Sequence, residues 1–321
     1  MIPRDQRAAF VFTSGSTGTP VPHAKAWGGL TDSVRVEACR LGLGGAQPWV
    51  VLATVPPQHM YGFESSVLLA LQSGIAFAAE RPFYPADIAR VLEAMPRPRL
   101  LVTTPVHLRA LLAADLLLPA ADLVVSATAP LDSVVAAQVE ARFGAPVLEI
   151  YGSTETGQIA SRRTVDCREW QLWPGVEMNA RDGRNWVQGG HVVTATPMAD
   201  MLEARPNGRF VLNGRTADLV NIAGKRSSLA YLNHQLNAIP GVVDGAFFVP
   251  DEPADGSATG VGRLGAVVVA PGLTAAVITR QLRERVDPVF IPRPLLLVDG
   301  LPRNSTGKLP QSALKALAAR T

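Results

Sequence analysis

The 321-residue chain is 47% apolar and 18% charged, with a net charge of +3. That is apolar enough for a large core, and the scattered basic residues exclude a disordered tail or a nucleic-acid surface. No apolar run approaches the roughly 20 residues of a membrane helix, and the start Met1–Ile2–Pro3–Arg4–Asp5 has no leader character.

The two cysteines, Cys39 and Cys167, make neither a disulfide framework nor a metal quartet. A reducing cytoplasm is the expected setting, with small molecules or another soluble protein as partners. In chain order, the first expected strand is Ala9 to Phe12. It opens into Thr13–Ser14–Gly15–Ser16–Thr17–Gly18–Thr19–Pro20. Consecutive amides in such a turn form a concavity for anions, and hydroxyls add donors. The stretch reads as a polyphosphate cradle, although no Gly-Lys-Ser/Thr closes it as in a P-loop.

Helical spacing follows from Gly28 to Leu41, then a buried strand within Pro48 to Val55. Gln58–His59–Met60–Tyr61–Gly62–Phe63–Glu64 follows as a loop rich in ring side chains, suited to a cleft wall. A lone histidine such as His59 is more often simply packed or exposed. Strands at Ile75 to Ala79, Leu100 to Thr103, Leu123 to Ser126 and Val147 to Ile150 alternate with helices at Pro85 to Met95, Val106 to Leu118 and Ser133 to Phe143. This alternation predicts an α/β fold with a mostly parallel sheet flanked by helices, and ligands beyond the carboxyl ends of the strands. The Gly-rich loop, the His59 loop and Ala127–Thr128–Ala129–Pro130 are expected there. So is Tyr151–Gly152–Ser153–Thr154–Glu155, where Glu155 can hold Mg²⁺ beside phosphates or act only as a helix N-terminal acid.

After Arg168 the strands become short and Gly- and Pro-punctuated, which predicts a small β-rich subdomain up to Leu212. The break at Gly214–Arg215–Thr216–Ala217–Asp218 is the expected boundary between a large domain, 1–214, and a small α+β domain, 215–321. The stretch from Asp251 to Gly262 is expected to be a mobile hairpin loop. Near the end, Pro302–Arg303–Asn304–Ser305–Thr306–Gly307–Lys308–Leu309 places a lysine on a Gly-hinged loop that a domain movement could swing into a site.

These segments, in this order, resemble the adenylate-forming superfamily of acyl- and aryl-CoA synthetases, peptide-synthetase adenylation domains and luciferase. The resemblance implies that Thr13, Ser14, Gly15, Ser16, Thr17 and Gly18 hold the β- and γ-phosphates of ATP. It implies that Thr128, Ala129, Pro130, Tyr151 and Gly152 surround adenine. Glu155 ligates Mg²⁺, with Thr154 near the α-phosphate. Asp200, fourteen residues before Gly214, grips the ribose with help from Arg215. His59 borders the acyl pocket, Gly224 and Arg226 form the turn of the small domain, and Lys308 activates adenylation. The implied chemistry joins a carboxylic acid to CoA or a carrier protein's phosphopantetheine. Val21–Pro22–His23–Ala24–Lys25, taken with the His59 stretch, further resembles ligases of aryl-polyene and xanthomonadin-type pigment clusters.

The sequence departs from the family pattern in four places. Val21 stands where the family has lysine, and Lys25 is the nearest substitute. Ala217 replaces the hinge acid or lysine. The acid usual near Tyr231 to Asn233 is missing. Only eleven residues precede Phe12, where the family carries a whole subdomain. The expectation is an intact nucleotide site, an incomplete acyl site, and an apolar face covered by a partner or second copy. The rival readings are a nucleotide-binding pseudo-ligase or partner subunit, and an unrelated phosphotransferase using the Gly-rich loop.

Overall fold

A computed structural model describes residues 2–13, 21–43, 47–215, 219–250, 263–303 and 309–319. The chain divides into two compact units. One is built mainly from Met1–Met198 with Glu203–Val211. The other is built from Ala199–Leu202 and Leu212–Asn304 with the C-terminal helix Gln311–Ala318.

The first unit is organised on a nine-stranded sheet. Asp200–Arg205 is one edge strand; from its neighbour Arg209–Arg215 the order runs Trp170–Leu172, Gly157–Arg163, Val147–Ser153, Leu123–Ser126, Arg99–Thr103, Val50–Ala53 and Ala76–Phe77. Ala76–Phe77 to Val147–Ser153 pair in parallel, and the strands beyond pair antiparallel. Leu123–Ser126 is buried at every position, as expected where helices cover both faces of a parallel sheet. On one face Leu52, Leu101, Val124 and Val147 meet Ile88, Leu92, Leu108, Leu111, Val139 and Phe143 from the helices Pro85–Ala94, Pro105–Ala113 and Ser133–Phe143. On the other, the helix Trp27–Arg40 packs on the helical run that starts at Met60 and ends at Ser73. Phe63–Leu68 within that run is π-helical, a local widening that often marks functional sites.

The expected elements are present with shifted ends. The helix expected over Val106–Leu118 stops at Ala113, and the strand expected at Val147–Ile150 continues to Ser153. A larger difference concerns the first strand. Arg7–Thr13 pairs only with Val21–Ala26, in a separate two-stranded antiparallel hairpin. The Gly-rich segment therefore links the strands of a hairpin and does not follow a strand of the parallel sheet.

Glu177–Arg181, Arg184–Gly189 and Val192–Pro197 form a three-stranded antiparallel sheet. The second unit packs the helices Leu229–Asn237 and Ala275–Arg283 on a sheet of Asp244–Phe248, Gly265–Val269 and Leu295–Leu297 around Leu232, Leu236, Phe247, Val268, Ile278 and Leu282. No helix among the described residues is long and apolar enough to cross a membrane.

Candidate functional site

The carboxyl ends of the parallel strands carry a polar layer. Thr54 and Thr103 place their hydroxyls 2.8 Å apart, and His107 Nδ1 lies 3.3 Å from Thr54 Oγ1 and 2.9 Å from Thr104 Oγ1. Burial lowers the pKa of His107, which favours a neutral ring. The Tyr61 hydroxyl reaches the carbonyls of Thr103 and Val125, each at 3.1 Å. This anchors the start of the helical run to the strand ends, with half-buried His59 immediately before it.

Ser153 to Gly157 forms the turn between two antiparallel strands. Gly152 is required here, because a Cβ on it would lie 2.2 Å from the Gly157 carbonyl oxygen. Inside the turn, the Thr156 amide donates to Ser153 Oγ at 3.2 Å and Thr156 Oγ1 donates to the Gly157 carbonyl at 2.8 Å. The Glu155 side chain is 41% exposed and its Oε1 lies 3.7 Å from His23 Nε2. Burial pushes the Glu155 carboxyl up. Hydrogen bonds from Ser153 and its own amide, with the electrostatic influence of His23 and Lys25, outweigh it, so the pKa falls below the usual carboxylate value.

Lys25 Nζ donates to the Glu155 carbonyl at 2.8 Å. His23 and Lys25 share the half-buried face of Val21–Ala26, the strand leaving the Gly-rich segment. Two motifs 130 residues apart are thus joined by a hydrogen bond. Mg²⁺ accepts one or two carboxylates and takes its remaining ligands from water and phosphate. A single exposed, ionised Glu155 fits that requirement. Among the described residues no group of three or more His, Cys, Asp or Glu is placed to hold a metal by itself.

Of the residues expected around adenine, Ala127 is buried, while Thr128 and Pro130 are exposed. Thr128 has φ of 79°, an uncommon conformation for a non-glycine residue and one that collects at ligand-binding loops. The Tyr151 ring is buried against Trp170 and Phe210, with centroids 5.6 and 5.5 Å away. Thr154 is half-buried beside Glu155.

Asp200 opens the strand Asp200–Arg205, and Arg215 closes Arg209–Arg215. Both belong to the second unit. Gly224, with φ of 80°, turns the hairpin Leu219–Ile222 and Lys225–Ser228, which includes Arg226. Thr13 ends the first hairpin strand. Ser14 to Gly18, Ala217, Asp251 to Gly262 and Lys308 lie outside the described residues.

Sequence reasoning missed the buried polar group behind the Glu155 turn. Glu37 and Glu64 are fully buried. Glu64 accepts from Ser33 Oγ at 3.0 Å, and Gln158 Nε2 donates to Ser65 Oγ at 2.7 Å. Burial raises Glu37 to about 8 and Glu64 to about 7. Burial also lowers His191 to about 4. Glu37 lies on a helix whose spacing alone suggests a solvated polar face, and only tertiary contact identifies it.

Comparison with known proteins places the chain in a family. Residues 1–186 match the family model described as AMP-binding enzyme. A 4-coumarate–CoA ligase of Rhodobacter capsulatus is 32% identical over 240 residues, covering 74% of this chain and 60% of that ligase. A second, from Halorhodospira halophila, is 30% identical over 306 residues, covering 92% and 73%. ATP-bound MatB from Rhodopseudomonas palustris shares the fold with a TM-score of 0.80 at 23% identity, over 98% of this chain and 69% of that one. A benzoate CoA ligase from Burkholderia xenovorans does so with a TM-score of 0.81 at 23% identity and the same coverage. The chain thus spans between 60% and 73% of the length of these relatives.

Proposed function

The chain belongs to the AMP-binding enzyme family, and from that premise we propose that it is an ATP-dependent acid–thiol ligase. The observation that carries the reading is the junction of the strand leaving the Gly-rich segment with the Glu155 turn, through Lys25 and His23. It ties the strand that follows the Gly-rich segment to the turn that carries the ionised Glu155 carboxylate. The substrate carboxylate attacks the α-phosphorus of ATP, forming an acyl-AMP and releasing pyrophosphate. A thiol of CoA or of a carrier protein then attacks the acyl carbon, forming a thioester and releasing AMP. Glu155 would hold Mg²⁺, which supplies charge neutralisation on the phosphates. Lys308 stabilises charge as it develops at the α-phosphate, and Asp200 and Arg215 hold the ribose.

The coumarate and benzoate ligases among the relatives, and the resemblance to pigment-cluster ligases, favour an aryl or unsaturated acid. The domain boundary is proposed at Arg215, with residues 215–321 as the moving part, in a cytoplasmic protein.

A partner is part of the reading. Phe10, Phe12 and Phe77 are 51%, 57% and 50% exposed, and Phe77 lies on a two-residue edge strand. Exposed aromatics on open strand edges favour coverage by another surface. These same residues favour the second reading, a nucleotide-binding subunit with an incomplete acyl site.

Pyrophosphate exchange over a panel of aryl and acyl acids tests the proposal. It is run with and without a candidate partner protein. A ligase shows acid-dependent exchange once the face is covered, and Lys308→Ala removes it by about 10³-fold while nucleotide affinity stays. Nucleotide binding with no exchange under either condition supports the second reading.

A further inference from the structure

Lys25 has a placement that its sequence position does not disclose. As the nearest lysine to the Gly-rich segment, it is the natural candidate for a phosphate ligand. Its ammonium instead donates to the main-chain carbonyl of Glu155 at 2.8 Å. Burial lowers the pKa of Lys25, and the charges of the nearby Glu64 and Glu155 carboxylates oppose that shift. Glu64 is 1% exposed and accepts from Ser33 Oγ at 3.0 Å, on the helix Trp27–Arg40 that follows the Lys25 strand. Its Oε1 lies only 2.9 Å from where a Cβ on Gly157 would stand, and Gly157 has φ of +72°. Lys25 therefore holds the Glu155 turn through a main-chain carbonyl, and the Glu64 carboxylate lies against its end at Gly157.

A buried lysine is costly unless it is paired and hydrogen-bonded. Half-buried Lys25 has the Glu155 carbonyl as its acceptor. One purely architectural alternative is a staple between hairpin and sheet. A staple holds the hairpin with no consequence for the turn. The geometry here differs, because the acceptor is the carbonyl of the very residue whose carboxylate faces solvent.

We propose that Lys25 is a positioning residue that ties the turn from Ser153 to Gly157 to the strand leaving the Gly-rich segment, with Glu64 packed against the same turn at Gly157. The link fixes the Glu155 turn, and with it the Glu155 carboxylate, relative to the strand Val21–Ala26. The rigidity of the turn is a property of the chain without ligand. Only the consequence for metal and nucleotide rests on the function proposed above.

The test uses the full chain and the substitutions Lys25→Met, Lys25→Arg, Glu64→Gln and the double variant Lys25→Met/Glu64→Gln. Hydrogen exchange is measured without ligand, and ATP binding is measured by calorimetry across a Mg²⁺ titration. Lys25→Met is expected to speed exchange at least tenfold at residues 153–157 while leaving the Leu123–Ser126 strand unchanged. It is also expected to raise the Mg²⁺ concentration for half-maximal ATP binding several-fold. Lys25→Arg restores part of both effects, and the double variant is no worse than Lys25→Met alone, because one link is lost in each.

Exchange at the turn that stays as in the unmodified chain overturns the proposal. So does exchange that rises equally in all elements, which is what a simple staple would give. If Lys25→Met does not fold, Glu64→Gln decides: faster exchange at residues 153–157 alone supports the link, and unchanged exchange refutes it. If the unmodified chain shows no Mg²⁺-dependent ATP binding, the nucleotide reading fails, and the ligand-free exchange alone decides the role of Lys25.

Discussion

The Tyr61 hydroxyl donates to the main-chain carbonyl of Thr103 at 3.1 Å and lies as close to that of Val125. One buried side chain therefore spans the ends of two neighbouring parallel strands and fixes the helical run that begins beside His59. Tyr61→Phe removes the only donor in that arrangement, and removal of one partner from a buried hydrogen bond costs about 1–3 kcal/mol. The expected result is a loss of that size in urea unfolding, with the fold retained.

Glu37 and Glu64 give stability a defined pH dependence. Burial is the main cause that raises them, to about 8 and about 7; the Glu64 charge raises Glu37 further, while the Lys25 charge pulls Glu64 down. In the unfolded chain both return to the ordinary carboxylate range. Between that range and pH 8 the folded chain holds more protons than the unfolded one. The stability they contribute is therefore full below the unfolded pKa and is lost as pH rises through 7 and then 8. Each proton contributes a slope of up to about 1.4 kcal/mol per pH unit. Glu37→Gln replaces the protonated acid by a neutral isostere. Its melting temperature should match the parent at pH 6 and exceed it at pH 9; parallel curves would contradict the assignment.

Gly152 sits where the Glu155 turn closes on itself. A Cβ there would lie 2.2 Å from the Gly157 carbonyl oxygen and 2.8 Å from the Gln158 Cα, both main-chain atoms that cannot rotate away. Gly152→Ala should destabilise the chain by more than about 2 kcal/mol, at the upper end of ordinary single substitutions. Its weakened elements should centre on the strands Val147–Ser153 and Gly157–Arg163, as hydrogen exchange would reveal.

The legible parts of the sequence were those whose signal is local. Alternating apolar runs located the parallel strands to within a few residues, and Asp132 and Gly144 mark the ends of the helix Ser133–Phe143 as its N-cap and left-handed C-cap. The strands Gly157–Arg163, Arg184–Gly189 and Asp200–Arg205 escaped because they are short, polar or partly exposed, with no continuous apolar run to mark them. The hairpin carrying the Gly-rich segment was misplaced for a related reason. An apolar strand looks the same in sequence whether its partner is a sheet or a single neighbour. The target of Lys25, and the burial of Glu37 and Glu64, depend on pairings across more than a hundred residues or between packed helices, which no spacing rule encodes.

The account depends most on one Mg²⁺-bound nucleotide meeting both the Gly-rich hairpin and the Glu155 turn. Calorimetric titration of ATP into the full chain, with Mg²⁺ and with chelator, for the parent and for Glu155→Gln, measures this directly. The account predicts saturable binding at one site that requires Mg²⁺ and weakens at least tenfold in Glu155→Gln. Absence of binding, or binding equally strong with chelator and in the variant, would contradict it.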